Sequence, residues 1–373
     1  MIAAIRPNTV SAMKTLAVLP MLVRQHAEDA AFLFAQRIQA VHGQSWDEVQ
    51  LGRCDQRIGA NIAGLIAAGK AGLDIASEYV ETVGGAGEVF ALSMTAFAQN
   101  EALELAISFG LETAQGRRGL SGALARTDAQ IIGQYVRPWL ESKEPGLRLL
   151  GLTALSHHRR DPGVALAGFL ADPDADVRSR AARLAFELGR SDLTGPLVDL
   201  AAAEAEDVWP ALALARFGKD KARLYDLATR PGYALAGPAL DAALIAAPDL
   251  ARDRLGAMMR RPETHTLALS RAGVVGDQTV AGWLWHQLTG EDAEAVLFAL
   301  FDLYPIDPDL CSEVGAESEQ RPTTVEAWLK AHSADTPHLS LRRQMLDAMR
   351  AGFRDKTALL SDWRKTRSFP AWS

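Results

Sequence analysis

The segment Asp172-Pro-Asp-Ala-Asp-Val-Arg-Ser-Arg-Ala-Ala-Arg-Leu-Ala-Phe-Glu-Leu-Gly189 reads as one capped amphipathic helix. Asp172 caps it with Pro173 at the first helical position, or Asp174 does, and Asp176 adds negative charge at the positive end of the helix dipole. Val177, Ala181, Leu184, Ala185 and Leu188 form an apolar stripe, and Arg180, Arg183, Glu187 and Arg190 oppose it. Gly189 supplies the stop.

The same pattern recurs on both sides. The first apolar residues of successive second helices, Leu147, Val177, Val208, Leu235, Thr266 and Ala295, are separated by 30, 31, 27, 31 and 29 residues. A near-constant period marks an internal repeat. The pairs are 161–171 with 174–189, 193–203 with 207–218, 221–230 with 233–246, 249–260 with 264–275, and 278–289 with 292–304. No pair buries its own apolar face, so neighbours must stack into a shared core. The expected fold is all-α, an α-solenoid of such pairs at 126–305 following an N-terminal helical module at 1–125. A loop and capping helices at 306–373 complete it.

In the N-terminal module helices are expected at 21–41, 46–76 as one or two helices, 88–99 and 102–111. Gly84-Gly-Ala-Gly87 reads as a turn, and Gly116-Arg-Arg-Gly-Leu-Ser-Gly122 as the linker that ends the module. Beyond Ile306 an acidic, proline-containing loop is expected to lead to helices at 324–332 and 341–353.

Composition narrows the classes. Hydrophobic residues make up 48% of the 373 but aromatics only 7%, because the apolar mass is alanine and leucine, which favours closely packed helices. A net charge of −7 disfavours non-specific nucleic-acid binding. Cys54 and Cys311 show neither zinc nor redox spacing, so a reduced, cytoplasmic setting is expected. The apolar run 16–23 is broken by Pro20 and too short for a span, and neither secretion nor a membrane is expected.

Asp172-Pro-Asp-Ala-Asp-Val-Arg-x-Arg-Ala-Ala, with its downstream Leu-Gly, resembles the HEAT repeat, in the short form of about thirty residues also found in phycobilisome-lyase-like proteins. That resemblance implies a bond between neighbouring repeats, from an Asp before the second helix to an Arg six positions on. Asp172 and Arg178 match it, Arg148 matches the Arg alone, and Trp209 replaces it in the following unit. Arg24-Gln-His-Ala-Glu-Asp-Ala-Ala-Phe-Leu33, Asp55-x-Arg-Ile58 and Gly87-Glu-Val-Phe90 together resemble an uncharacterised bacterial HEAT-repeat family often encoded near type VI secretion components. The resemblance implies a protein-binding adaptor or chaperone for a secretion effector or spike component. It brings no catalytic motif with it.

Candidate residues fall into two groups. His26, Asp29 and Arg37 return to one side of the first helix and form a buried polar set, able to bind or transfer protons only if polar groups of the second helix, such as Asp55 or Arg57, meet them in a cavity. Arg148, Arg178, Arg180 and Arg183, with Arg159 and Arg160, would line a groove accepting acidic peptides or phosphates. Against these stand plain structural roles: a hydrogen-bonded core histidine, and ladder arginines. His157 and Asp161 are four apart, but no converging third ligand accompanies them, and Gly119-Leu-Ser-Gly122 lacks the strand of a nucleophile elbow. The basic tail with Trp363 and Trp372 reads as a solvated capping helix, or as one that binds a partner, a nucleic acid or an anionic surface. The expectation is a protein-binding scaffold with no metal, cofactor or catalytic set. An enzyme or cofactor-binding protein related to HEAT-repeat lyases, and nucleic-acid binding through the arginine face, are the alternatives.

Overall fold

The computed structural model describes residues 19–43, 48–204, 206–275, 278–288 and 291–303, together with 327, 350–353 and 355. Among them every regular element is helical and no strand occurs. The expected loop at 306–322, the helix at 324–332 apart from Ala327, and most of the helix at 341–353 lie outside the described residues, as do Trp363 and Trp372.

The first helices are α1 (Pro20–Gly43), α2 (Glu48–Ala67) and α3 (Lys70–Val83). The segment open to one helix or two forms two, because Gly69 at φ 58° turns the chain by 118°. Only glycine takes that conformation without steric cost. Among the described residues no single helix is long and apolar enough to cross a membrane. The bent α2–α3 pair reaches that length and hydropathy jointly, but its Leu51, Ile58, Ile62, Leu65, Leu73 and Val80 are buried within the protein.

The centre of this half is α4 (Ala86–Gln99), whose Val89, Phe90, Ala91, Leu92, Ala96 and Phe97 are all buried. A helix apolar around its whole circumference has to be enclosed, and α1, α3, α5 (Leu103–Glu112) and α6 (Ala114–Arg126) enclose it.

Helix α6 corrects the linker expected at 116–122: the glycine-rich stretch is helical throughout, capped by Thr113, whose hydroxyl accepts the Gly116 N–H at 2.9 Å. Its glycines serve close approach rather than a turn. A Cβ on Gly119 would lie 2.3 Å from the Ala86 carbonyl oxygen and 2.9 Å from the Phe90 nitrogen, and one on Gly122 would lie 2.3 Å from the Phe34 ring. Glycine's low helix propensity, about 1 kcal/mol against alanine, is outweighed here by backbone-to-backbone packing.

The five expected hairpins form, and a sixth precedes them. They are α7 (Ala129–Leu140) with α8 (Pro145–His158), α9 (Ala165–Phe169) with α10 (Ala175–Leu188), α11 (Thr194–Ala203) with α12 (Val208–Arg216), α13 (Arg223–Ala228) with α14 (Ala236–Ala246), α15 (Ala251–Met259) with α16 (Pro262–Ser270), and α17 (Gln278–Gln287) with α18 (Ala293–Leu303). Helices α8, α10, α12 and α14 pack on one another in that order. The apolar core runs from Val23 to Ala154, then from Leu152 to Val274, and ends in a cluster from Leu269 to Leu303. Helix α8 contributes to the first two, so packing passes without a break across residue 125.

Of the two candidate caps for α10, Asp174 is the one used, accepting the Val177 N–H at 3.1 Å, and Gly189 ends the helix at φ 73°. Asp172 is thereby free to join neighbouring hairpins. Arg148 donates to both its oxygens at 2.7 and 2.8 Å, and to the carbonyls of Ser142 and Lys143. Arg178 repeats this grip one unit on, donating to the carbonyls of Asp172 and Pro173 and to Glu204. The carboxylate comes from Glu204, a residue type that the Asp pattern does not mark.

Two glycines in helix interiors therefore predict opposite outcomes. Gly119→Ala is expected to destabilise the protein by about 1–3 kcal/mol through overpacking against α4. Gly133→Ala, where a Cβ meets nothing within 4 Å, is expected to stabilise by about 0.5–1 kcal/mol. Urea unfolding followed by circular dichroism reads both signs.

Candidate functional site

Helices α1, α6, α8, α10 and α12 border a cleft of about 480 Å³. Helical spacing puts its side chains on common faces: Arg118, Ser121, Ala125 and Arg126 on α6, and Asp176, Arg180, Arg183 and Glu187 on α10. Seven arginines line it (Arg37, Arg117, Arg118, Arg126, Arg159, Arg180 and Arg183) against two carboxylates, Asp176 and Glu187. In a chain of net charge −7, this is a strong local reversal.

Two arginine pairs are each held by one carboxylate. Asp55 on α2 accepts from Arg37 at 2.6 and 3.0 Å and from Arg126 at 3.1 Å. Burial and, after it, the neighbouring Arg37 charge bring the Arg126 pKa down to about 10 against the opposing effect of Asp55. The Arg126 guanidinium also lies 5.4 Å from the ring centroids of both Phe34 and Phe90, which are stacked 4.0 Å apart. Glu187, its side chain 1% exposed, accepts from Arg183 at 2.9 Å, from Arg159 at 3.1 Å and from the Ser156 hydroxyl. Burial pushes the Glu187 carboxyl up, but Arg183, Arg159 and Ser156 together bring it below the ordinary carboxylate range.

Arg180 is different. Among the described residues it forms no ion pair or hydrogen bond. Burial, followed by repulsion from Arg183, brings its pKa down to about 9, with Glu187 only partly compensating. A guanidinium keeps its proton, so this side chain stands on the cleft wall as a cation with no ion pair or hydrogen bond among the described residues and only partial compensation from Glu187. An anion about 4 Å away would gain about 4 kcal/mol at an effective dielectric of 20.

Arg159, the residue that ends α8, takes the left-handed conformation at φ 50°, which costs a non-glycine residue about 1–2 kcal/mol. Its guanidinium bonds hold it there: it donates to Glu187, to the Ser156 carbonyl, and to the carbonyls of Arg350 and Ala351. The ring of Phe353 enters the same cleft, its centroid 4.6 Å from the Arg126 guanidinium carbon and 5.3 Å from that of Arg37. On the opposite side Arg183 covers the ring of Trp209 at 4.7 Å.

The residues singled out from sequence are thus divided. Arg37, Arg180 and Arg183 meet in the cleft, with Arg159 beside them. Arg148 and Arg178 lie in the ladder between hairpins. His26 and Asp29 line neither. His26 Nδ1 meets Asn61 Oδ1 at 2.9 Å, with its ring laid over Gly64, and Arg37 turns to Asp55 instead. His157 and Asp161 are engaged apart, His157 with Ser121 and Asp161 with Arg190, and among the described residues no three His, Cys, Asp or Glu side chains converge on a metal position.

Sequence reasoning missed Arg117, Arg118, Arg126, Trp209, Phe353 and the contact of Ser121 Oγ with His157 Nε2 at 2.8 Å. The 118, 121, 122, 125, 126 spacing carried a signal, but it was hidden once the glycines were read as a linker. No protein-family model, curated protein or solved structure matches this chain.

Glu187→Gln removes the buried charge that holds the partly buried Arg159 and Arg183, and is expected to cost about 1–3 kcal/mol at pH 7. The folded pKa of Glu187 lies below its unfolded value of about 4.3. Its contribution is therefore complete above that value and lost as the pH falls through the folded pKa. Urea midpoints between pH 7 and pH 2.5 should decline less steeply in the variant than in the parent.

Proposed function

We propose that the chain is a binding scaffold, its hairpins stacked as a short α-solenoid, and that the arginine cleft holds an acidic segment of a partner protein. The observation that carries this reading is Arg180, a cation without a partner among the described residues, in a cleft where arginines outnumber carboxylates. Arginine's planar fork suits carboxylates, and a recess of about 480 Å³ is of the size that encloses a small ligand or a few side chains. The chain's net charge of −7 disfavours a nucleic acid and favours a peptide as the occupant. The resemblance to HEAT-repeat proteins encoded near type VI secretion components suggests an adaptor or chaperone for an effector or spike component as the biological setting.

A second reading, hydrolysis, has one observation in its favour, the Ser121–His157 contact. Ser121 lies within α6, where the helix uses the neighbouring backbone N–H groups itself and none is offered to a developing oxyanion. The contact is equally well explained as a cross-link between α6 and α8.

The test is fluorescence anisotropy with a labelled decapeptide rich in glutamate. Binding is expected to weaken as salt rises, and Arg180→Gln is expected to lower affinity by about tenfold or more, the scale of a lost charged hydrogen bond, with the melting temperature unchanged or raised. Acidic and neutral peptides binding equally, or an unaffected Arg180→Gln variant, would refute the proposal.

A further inference from the structure

We infer that the cleft selects a segment pairing an aromatic side chain with a nearby carboxylate, and that residues 350–353 of the chain itself occupy the aromatic half of that site until such a segment displaces them. This rests on the acidic-segment reading above and adds the second chemical feature and the competition.

The seat for the aromatic is already built. Phe353 lies against Arg126 and Arg37 at 4.6 and 5.3 Å, and Arg126 is itself backed by the stacked Phe34 and Phe90 rings. Cation–π contact of this kind strengthens as water is excluded. Beside it, Arg159 donates to the carbonyls of Arg350 and Ala351, so peptide backbone is accepted in a hold that does not depend on side-chain identity.

The intramolecular occupant fills only part of the site. Among the described residues it brings the carbonyls of Arg350 and Ala351 and the Phe353 ring, with the Asp355 charge acting on Arg159, and Arg180 keeps no ion pair. It also brings the Arg350 charge near Arg216. Arg216 on α12, whose Nη1 is buried without a hydrogen-bond partner among the described residues, has its pKa lowered to about 10 by burial and, after that, by the charge of Arg350. A partner segment with the same aromatic and a carboxylate within reach of Arg180 keeps the ring contact and adds an attraction that the tail does not supply to Arg180. Competition follows from overlap: two rings cannot share the place between Arg37 and Arg126.

The experiment uses the full-length chain and two labelled glutamate-rich decapeptides, one with a central phenylalanine and one with alanine in its place. The phenylalanine peptide is expected to bind about tenfold more tightly. Phe353→Ala is expected to raise its affinity further, by about tenfold if the tail fills the site in nine molecules of ten. Arg180→Gln, which removes the cation that would hold the carboxylate, is expected to lower it. These opposite directions separate competition from loss of fold, since misfolding weakens binding in both variants. Equal affinity for the two peptides, or a Phe353→Ala variant that binds no better than the parent, overturns this inference and leaves the acidic-segment reading standing. Failure of both peptides to bind any variant overturns both.

Discussion

The approach of α6 to α4 and α1 is the contact on which the remaining architecture depends. Two backbones come together at Gly119, where even a methyl group would strike the Ala86 carbonyl, and Gly122 lets the Phe34 ring lie close against α6. Because those helices are so near, Arg37 from α1 and Arg126 from α6 reach the same carboxylate, Asp55. Close packing, rather than any local preference of the arginines, sets one wall of the cleft.

Charge organises the opposite wall. Burying like charges together is unfavourable, and the protein offsets most of it by giving each arginine pair one carboxylate, Asp55 for Arg37 and Arg126, and Glu187 for Arg159 and Arg183. Each set is left with net positive charge, and Arg180 adds another. The aromatic rings of Phe34, Phe90, Phe353 and Trp209 take up part of the remainder through cation–π contacts. Such an arrangement is costly for the free protein and would be relieved by an anion, which is why the proposed binding role is assigned to this cleft.

The ladder arginines show how the same residue type serves a different purpose a few positions away. Arg148 and Arg178 point toward the helix starts, where carbonyls and a carboxylate from the next hairpin surround them. Arg180 and Arg183 project from another face of α10 into the cleft. Rotation of about 100° per residue along a helix is enough to send Arg178 to one role and Arg180 to the other.

Helix content, hairpin positions and the period near thirty residues were legible in the sequence, because apolar spacing and stops such as Gly189 are local properties that neighbouring residues express directly, whereas the choice between Asp172 and Asp174 as cap was left to the structure. The arginine run of α10 was legible as a candidate face for the same reason. What escaped was everything depending on which helices meet. Gly116–Gly122 has the composition of a turn, and only the presence of α4 and α1 against it makes a helix the better state. His26 and Asp29 share a side of α1, yet Asn61 and Asp55 on α2 determine what that side does, drawing His26 and Arg37 to separate partners. Phe353 is more than two hundred residues from Arg126, and no periodicity relates them. Short-range patterns specify elements; long-range juxtaposition of charge and ring belongs to tertiary structure, because its energy arises only when distant segments exclude water together.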